Sequence, residues 1–434
     1  MRVNVGLVGF GVIGGGVVSL LQRHAEVLKL RSGVEINLKR IADVDLDRAR
    51  EVTVERSMLT TDFNEIIDDP EIDIVVELVG GTRIAKTVVV KALEANKHVV
   101  TANKALLHAF KEELFRLAVS HKRELRYEAS VAGGIPIIKV ITESLAGDRI
   151  HAMYGIVNGT TNFILTKMIQ EQWAFDDALS TAQQLGFAEA DPTLDVNGGD
   201  ATHKLDILAT VAFNAQVDSE HIYTEGIEAL DLQDVLYAKE LGYVIKLLAI
   251  GKQADTHMSL RVHPTLIPKD CSLASVSNEF NAVMLRSEFL GDSLYVGRGA
   301  GAHPTASAVV SDLCDLALSI TGNQEFNPHR YSPFNDYTTR SHLEEESRFY
   351  LRLSTIERPG ILATITKILG DHDISISAII QKELTEEAAD QTVPIVILTR
   401  PAREGNLRQA VTEIDGLDVT CGRTVILHVE DIEL

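Results

Sequence analysis

The sequence predicts an α/β protein built from an N-terminal doubly wound parallel sheet, a central α+β region and a C-terminal ferredoxin-like βαββαβ unit. Strand and helix patterns alternate from the N-terminus, which is typical of a parallel sheet with helices on both faces. The alternation weakens after about residue 136, where longer helical patterns appear. We therefore predict four segments: a dinucleotide-binding domain at 1–135 that about 297–320 completes, a substrate and dimerisation domain at 136–325, a linker at 326–347 and a regulatory domain at 348–434.

Composition excludes several classes of function. The 434 residues include 41 Lys and Arg against 62 Asp and Glu, which gives a formal net charge of −21. This acidic excess argues against a nucleic-acid or anionic-membrane partner, because phosphate binding needs clustered Lys and Arg. No apolar run approaches the roughly 20 residues that cross a bilayer. The three cysteines lie far apart, as in proteins of a reducing compartment. We expect a cytoplasmic enzyme or sensor.

A glycine motif follows the first predicted strand, an apolar run at 3–10. Gly9, Gly11 and Gly14 spell GxGxxG between this strand and a helical pattern. The first glycine permits a tight turn, the second lets a pyrophosphate approach the backbone, and the third lets helix and strand pack closely. The helix start also attracts phosphate charge. The motif predicts dinucleotide binding in a Rossmann-like domain, and the alternative is a tight structural turn.

The nucleotide's ribose has two candidate contacts. Asp43 follows the second predicted strand at 36–42 and would hold a ribose diol, which favours NAD. Arg40 and Lys39 lie close by and would instead meet the 2′-phosphate of NADP. The sequence leaves this choice open.

The remaining strands and helices are predicted from periodicity. Buried parallel strands are expected at 72–79 and 98–101. Helical patterns at 200–213 and 234–250 belong to the central region. In the last unit, strands at 349–354, 374–376, 393–398 and 424–429 alternate with helices at 361–369 and 407–414, which gives the order βαββαβ.

An acidic loop leads into the helix predicted at 200–213. Asp200 and Lys204 are four residues apart on one helical face, which is also the spacing of an ordinary surface salt bridge. Three further carboxylates, Glu189, Asp191 and Asp195, precede them and favour a site that binds an amino group. Their alternative is solvated loop charge.

Lys104 is the second candidate for chemistry. It follows the strand at 98–101, and ligands of open α/β sheets bind outside the carboxyl ends of the strands. Hydride transfer to a carbonyl builds negative charge on oxygen, so a nearby cation or proton donor is required. The alternative is a surface lysine, although a cation is unfavourable at a helix N-terminus.

The chain resembles the bacterial homoserine dehydrogenases of the long form, which end in an ACT domain. The resemblance covers nearly the whole length and rests on these motifs: VGLVGFGVIGGGV at 5–17, VVTANKALL at 99–107, YEASVAGGIPII at 127–138, NGTTNFIL at 158–165, GFAEADPTLDVNGGDATHK at 186–204 and GRGAGAHPTASAVVSD at 297–312.

The resemblance implies NAD(P)-dependent interconversion of L-homoserine and L-aspartate 4-semialdehyde, in threonine and methionine synthesis. By resemblance Lys204 is the proton donor, Lys104 is the second active-site lysine, and Glu189 and Asp200 hold the substrate. Asp191 and Asp195 lie in the same acidic loop. Further matched positions are those of the cofactor, Phe10, Val12, Ile13 and Gly301, and those of a monovalent cation, usually sodium, Glu128, Val131, Gly133 and Ile135.

The resemblance also implies a regulated homodimer or homotetramer. The loop 357–362 matches the ligand loop of ACT domains, in which glycine lets an amino acid approach the backbone. Glu357 replaces an aspartate that many members carry, so ligand binding by this loop is an open prediction. We predict feedback inhibition by L-threonine, with a ligand-free dimerisation module as the alternative.

Two other functions fit parts of the sequence. A phosphorylating semialdehyde dehydrogenase needs a thiolate nucleophile, but Gly159–Asn162 has no cysteine beside it. A nucleotide or amino-acid sensor would need neither the acidic loop nor the two lysines.

Overall fold

The computed structural model describes residues 1–331, 335, 337–381 and 392–432. The predicted linker and the predicted C-terminal domain therefore fall partly outside the described residues, at 332–334, 336, 382–391 and 433–434. The chain forms two compact units: Met1–His151, His203–Ser219 and Phe280–Tyr337 make the first, and Ala152–Thr202, Glu220–Glu279 and Thr338–Leu434 make the second. The domain limits given above stay predictions.

The strands, in chain order, are β1 (Arg2–Val8), β2 (Glu35–Ala42), β3 (Leu59–Thr60), β4 (Ile74–Glu77), β5 (His98–Thr101), β6 (Leu125–Arg126), β7 (Ile150–Ile156), β8 (Tyr223–Thr224), β9 (Tyr243–Ala254), β10 (His257–Pro268), β11 (Phe280–Ser287), β12 (Gly291–Arg298), β13 (Thr338–Thr339), β14 (Glu346–Thr355), β15 (Ile376–Gln381), β16 (Val393–Thr399), β17 (Ala402–Arg403) and β18 (Val425–Val429).

The α-helices are α1 (Val12–Arg23), α2 (Ala25–Ser32), α3 (Asn64–Ile67), α4 (Arg83–Glu94), α5 (Lys104–His121), α6 (Ile137–Lys139), α7 (Gly159–Glu171), α8 (Phe175–Gln184), α9 (Thr193–Val196), α10 (Gly199–Ala212), α11 (Leu232–Glu240), α12 (Ala302–Thr321), α13 (Ile361–Asp371) and α14 (Glu404–Asp415). Among the described residues, no helix has the length and apolar character that a membrane span requires.

The first unit contains a six-stranded sheet in the order β3-β2-β1-β4-β5-β6. All neighbouring strands in it are parallel. This is the strand order of a dinucleotide-binding fold, and it confirms the predicted doubly wound sheet. All four residues of β4 are buried, as expected for a strand covered on both faces.

Helix α12 lies beside α1 in the same unit. A Cβ on Gly16 would come within 2.9 Å of the carbonyl oxygen of Ala302, so the two helices need glycine here to approach so closely. The described residues of the predicted linker up to Tyr337 belong to this unit, where the buried Tyr331 donates its hydroxyl to Glu124 at 2.8 Å, whereas those from Thr338 onward belong to the second unit.

The second unit contains the strand path β7-β9-β10-β18-β14-β16-β15. The sequence prediction of one helix over 234–250 is wrong, because α11 ends at Glu240 and β9 begins at Tyr243. Between them Gly242 adopts φ +85°, a left-handed conformation that ends a helix. The residues that follow are buried in a nearly continuous run, which is typical of a strand covered on both faces.

The C-terminal part has the element order β14-α13-β15-β16-α14-β18, with a short β17 before α14. Its sheet order β18-β14-β16-β15 confirms the predicted ferredoxin-like βαββαβ unit. The sheet continues beyond the βαββαβ segment but within the second unit, because β18 also pairs in parallel with β10 through Thr265–His428 and Leu266–Val429.

A buried ion pair reinforces that continuous sheet. Asp234 on α11 is fully buried and accepts two hydrogen bonds from Arg352 on β14, at 2.6 and 2.9 Å. The hydroxyl of Tyr350 donates to the same carboxylate at 3.0 Å. Removing one member of such a pair leaves the other charge buried without its partner.

We expect Arg352→Ala to lower the free energy of unfolding by about 3–5 kcal/mol, because the Asp234 carboxylate would remain buried without its cation. Urea denaturation followed by circular dichroism measures this change. The matched control is Lys367→Ala, which removes the exposed pair with Asp371 and should leave the midpoint unchanged. Equal midpoints for Arg352→Ala and the unmodified protein would contradict the expected role of the pair.

Candidate active site

The loop between β1 and α1 has the geometry of a dinucleotide turn. Gly9 adopts φ +103°, and a Cβ there would lie 2.5 Å from the carbonyl group of Leu78. A Cβ on Gly14 would lie 2.2 Å from the oxygen of Gly9, whereas one on Gly11 would meet nothing within 4 Å. The second glycine therefore faces open space, where a pyrophosphate can approach the backbone.

The start of α1 fits the same ligand. No side chain of the described residues caps this helix, and its first turn, which includes Val12 and Ile13, contains no acidic residue. The N–H groups of this turn and the helix dipole are thus available to an anion. Phe10, in contrast, is buried and donates its backbone N–H to Asp43 at 2.6 Å.

The two candidates for ribose recognition lie in different surroundings. Asp43 follows β2 and accepts the N–H groups of Phe10 and of Asp45, the latter at 2.9 Å. Arg40 forms an ion pair with Glu65. Lys39, the other cation considered, pairs with Asp69 at 2.7 Å and with Glu71. Both cations of β2 are therefore already paired with acidic side chains.

Arginines that the sequence analysis did not select lie beside the glycine loop instead. Arg50 donates to the carbonyl oxygen of Phe10 at 2.8 Å, and its guanidinium lies 4.4 Å from the centre of the Phe10 ring. A pocket of about 340 Å³ opens here, lined by Gly11, Ser19, Arg23, Arg48, Arg50 and His303 among others. Arg48 and Arg50 belong to no recognisable sequence motif. Their place beside the glycine loop follows only from the fold.

Lys104 is the first residue of α5. The preceding Asn103 caps the helix by accepting the N–H of Leu106 at 3.0 Å. Behind this turn Glu77 is fully buried and accepts the hydroxyl of Thr101 at 2.7 Å. Burial raises the pKa of the Glu77 carboxyl, although its hydrogen bonds act in the opposite direction. These contacts fix the backbone from which Lys104 projects.

In the second unit, Asn158 joins two of the predicted acidic residues. Its side-chain NH₂ group donates to Asp195 at 2.7 Å and to Asp200 at 2.9 Å. Its oxygen accepts the N–H of Thr161 at 2.8 Å and so caps α7. Asn158 belongs to the motif NGTTNFIL but was not selected as a site residue, because no sequence spacing relates it to the acidic loop.

The other predicted residues of the acidic loop are arranged differently. Lys204 lies on α10 one turn after Asp200, and both side chains are buried. Glu189 and Asp191 are exposed. Hydrogen bonds from Thr193 hold the pKa of Asp191 below its ordinary value. Asp195 and Asp200 thus share a partner, whereas Glu189 and Asp191 lie on the open part of the loop.

The predicted cation ligands lie in a tight turn of the first unit. Gly133 adopts φ +51°, and a Cβ on it would lie 2.4 Å from the carbonyl oxygen of Gly299. In the described part of the chain, the carbonyl oxygens of Val131 and Gly133 accept no hydrogen bond, whereas that of Ile135 accepts one from Ile137 at 2.8 Å. The carbonyl oxygens of Val131 and Gly133 therefore suit a hard monovalent cation as ligands.

Glu128 supplies the charge in this turn. Its two carboxylate oxygens accept the N–H groups of Ile138 and Lys139 at 2.9 and 2.8 Å. Burial, together with the nearby Asp312, raises the pKa of Glu128 to about 7. Burial likewise raises the pKa of Asp312 to about 6. A cation would offset this buried negative charge, so the residues present fit the predicted ion.

Gly301 lies at the start of α12, where it is the N-cap residue with φ +110°. Helix α12 packs against α1, which begins directly after Gly11 of the glycine loop. The predicted cofactor position and the dinucleotide turn are therefore in the same unit, at the starts of two helices in contact.

Three known families match consecutive parts of the chain. The NAD-binding domain of homoserine dehydrogenase matches residues 9–128, homoserine dehydrogenase itself matches 136–314, and the ACT domain matches 349–417. They follow the order that the sequence motifs predicted.

Full-length relatives agree with these matches. The homoserine dehydrogenase of Neisseria gonorrhoeae is 42% identical over 434 residues and that of Bacillus subtilis is 39% identical over 425, with 99% and 96% of each chain covered. The crystal structure of a homoserine dehydrogenase from Thiobacillus denitrificans superposes with a TM-score of 0.92 at 44% identity, covering 99% of both chains. The resemblance stated from the motifs is confirmed: the chain belongs to the homoserine dehydrogenase family of oxidoreductases, with an NAD-binding domain and a C-terminal ACT domain.

Proposed function

We propose that the protein catalyses the reversible NAD(P)-dependent interconversion of L-homoserine and L-aspartate 4-semialdehyde, in threonine and methionine synthesis. The observation that carries this proposal is that Asn158 holds two carboxylates, Asp195 and Asp200, and that Asp200 lies one helical turn before the buried Lys204. Two acidic side chains held side by side create a negative potential that attracts the ammonium group of an amino acid. Lys204 follows on the same helix, where a cation can meet the reacting oxygen.

Each proposed residue has a separate task. Asp200 and Asp195, with Glu189 and Asp191 of the same loop, bind and orient the ammonium group of the substrate. Lys204 holds the proton that the carbonyl oxygen receives in one direction and takes it back in the other. Lys104 stabilises the negative charge that develops on that oxygen. The nicotinamide, when bound, supplies or accepts the hydride.

The glycine turn of Gly9, Gly11 and Gly14 is the proposed site of the pyrophosphate. Asp43 is the proposed contact of a ribose diol, and Arg40 that of a 2′-phosphate, for which it would have to leave Glu65. An assay of the purified protein with L-homoserine, run separately with NAD and NADP at 340 nm, tests the reaction and measures the preference. Absence of homoserine-dependent reduction with both cofactors would contradict the proposed reaction.

Thiolate chemistry is not favoured in this protein. Cys271 is buried, and burial raises the pKa of the Cys314 thiol, which keeps it protonated. The phosphorylating alternative would need a cysteine with a lowered pKa.

We expect Lys204→Ala to lower kcat by about 10²–10⁴-fold, the usual contribution of a general acid or base. Steady-state kinetics with L-homoserine measures this loss. The matched control is Lys167→Ala, which removes a lysine paired with Glu171 on the surface of α7 and should keep normal turnover. A near-normal kcat for Lys204→Ala would contradict this role and would favour the alternative, in which Lys204 only forms a salt bridge with Asp200.

The turn at Glu128 is the proposed site of a monovalent cation, with sodium as the ion that the family resemblance implies. Its ligands are the Glu128 carboxylate and the carbonyl oxygens of Val131, Gly133 and Ile135. The buried carboxylate and the two carbonyl oxygens described above support this assignment. Such an ion would hold the turn that contacts Gly299.

Sodium chloride should raise the melting temperature more than tetramethylammonium chloride of equal ionic strength, because an ion that binds only the folded state stabilises it. In Glu128→Gln this difference should disappear. Glu113→Gln, which removes an exposed carboxylate paired with Lys86, is the control and should keep the difference. Equal responses of the unmodified protein to both salts would rule out the proposed site.

The ACT domain is proposed to bind L-threonine and to inhibit the enzyme. Gly360 of the loop 357–362 has φ +94°, and no described residue would come within 4 Å of a Cβ there. In the part of the chain that the structure describes, no side chain caps α13, which starts directly after Gly360. A free carboxylate can therefore approach this backbone. We also propose that the chain is a homodimer or homotetramer, in which β15, the last strand of its sheet among the described residues, pairs with a second copy.

Gly360→Val should raise the threonine concentration for half-inhibition at least about tenfold, because a β-branched residue disfavours positive φ and the loop must rearrange. The control is Gly370→Ala, a change within α13 at a glycine whose Cβ would also meet nothing. Inhibition curves with saturating L-homoserine give both values. Point variants are needed, because deleting the domain would also remove β18 from β10. Unchanged inhibition of Gly360→Val would mean that threonine binds elsewhere.

A further inference from the structure

Helices α5 and α10 carry the two proposed active-site lysines, and a polar cluster with a buried Lys111–Asp206 ion pair joins these helices. Lys104, His108 and Lys111 are four and three residues apart, so they lie on one face of α5. His203 and Asp206 are three residues apart on α10. The cluster consists of His108, Lys111, His203 and Asp206, all in the first unit.

Asp206 is the centre of this cluster. Its side chain is fully buried, and both of its oxygens accept hydrogen bonds from the Lys111 ammonium group, at 2.6 and 2.7 Å. The Nδ1 atom of His108 lies 2.8 Å from Oδ2. Since an ionised carboxylate only accepts hydrogen bonds, Nδ1 carries the hydrogen. The His108 ring also stacks on His203, with 4.1 Å between the ring centres.

These contacts are directional, unlike apolar packing. An apolar contact between two helices allows small rotations and sliding, whereas Asp206 holds both Lys111 and His108 of α5 at hydrogen-bond distance. A displacement of either helix would therefore stretch charge-assisted bonds in a buried site. Replacing a buried ion pair with apolar residues of similar volume often costs no stability. Stability alone therefore gives no reason for a charged pair at this position.

The position relative to the lysines does give a reason. Lys104 is one helical turn before His108 on the same face of α5, and Lys204 is adjacent to His203 on α10. A rotation of α10 about its axis would move the ammonium group of Lys204, and a sliding of α5 along α10 would move that of Lys104, so either motion changes the placement of one lysine relative to the other. A misplacement of about 1 Å can cost on the order of 10²-fold in rate.

We propose that Asp206, together with Lys111 and His108, is a positioning residue that fixes α5 against α10 and thereby the placement of Lys104 and Lys204. This inference rests on the proposed function. The cluster touches neither substrate nor cofactor in this role, and it acts only through the two lysines. Its loss should lower kcat while the KM for L-homoserine stays within about threefold, because uniform binding of the substrate is not removed.

The deciding variant is the double substitution Lys111→Met with Asp206→Leu, which removes the charges and keeps side-chain volume. We expect an unchanged urea midpoint and a loss of kcat of about 10–100-fold. The control is Arg352→Met with Asp234→Leu, the same exchange at the buried pair of the second unit, which should keep normal kcat in the absence of threonine. An unchanged kcat in the first double variant overturns the inference, as does an equal loss in the control.

A second variant covers the case in which the double variant is destabilised. His108→Phe keeps a ring against His203 and removes only the bond to Asp206. A loss of kcat of at least threefold at an unchanged urea midpoint supports the inference, and an unchanged kcat overturns it. The unmodified protein, assayed in parallel, separates the two hypotheses: if it does not oxidise L-homoserine, the proposed function fails, whatever the variants do.

Discussion

The position of β1 between β2 and β4 is the constraint on which the nucleotide-binding region depends. Because all three strands run in parallel, their carboxyl ends meet at one edge of the sheet. The glycine loop follows β1, Asp43 follows β2, and Glu77 is the last residue of β4. The bond from the N–H of Phe10 to Asp43 then ties the glycine loop to the end of β2. A shift of β1 by one residue would separate these groups and turn its apolar side chains to the opposite faces.

Local patterns in the sequence predicted the parts of this structure that depend on near neighbours. The glycine motif lies in a strand–turn–helix context, and the spacing of Asp200 and Lys204 fits one helical face, so both predictions needed only the chain itself. The helix expected over 234–250 was wrong, because the apolar run after Gly242 has no periodicity that separates a buried strand from a buried helix. Its burial between two neighbouring strands decides the outcome.

Contacts between distant segments could not be predicted in the same way. Asn158 reaches Asp195 and Asp200 across about forty residues of sequence, and Lys111 reaches Asp206 across ninety-five. Hydrogen bonds at such separations follow from the packing of helices and leave no spacing signal. The proposed active-site lysines were found by motif, whereas the side chains that hold their surroundings became visible only in three dimensions.

The pairing of β18 with β10 has a consequence for how the chain is made. The ribosome completes β10 (His257–Pro268) long before β18 (Val425–Val429) is synthesised. Until then Thr265 and Leu266 of β10 lack their partners on β18, although β8, made earlier, already pairs with Arg261 and Val262. An incompletely paired strand that is largely buried in the folded protein is the kind that recruits other chains. The nascent protein should therefore need its greatest protection from aggregation during this interval, and molecules whose synthesis stops early should enter insoluble material.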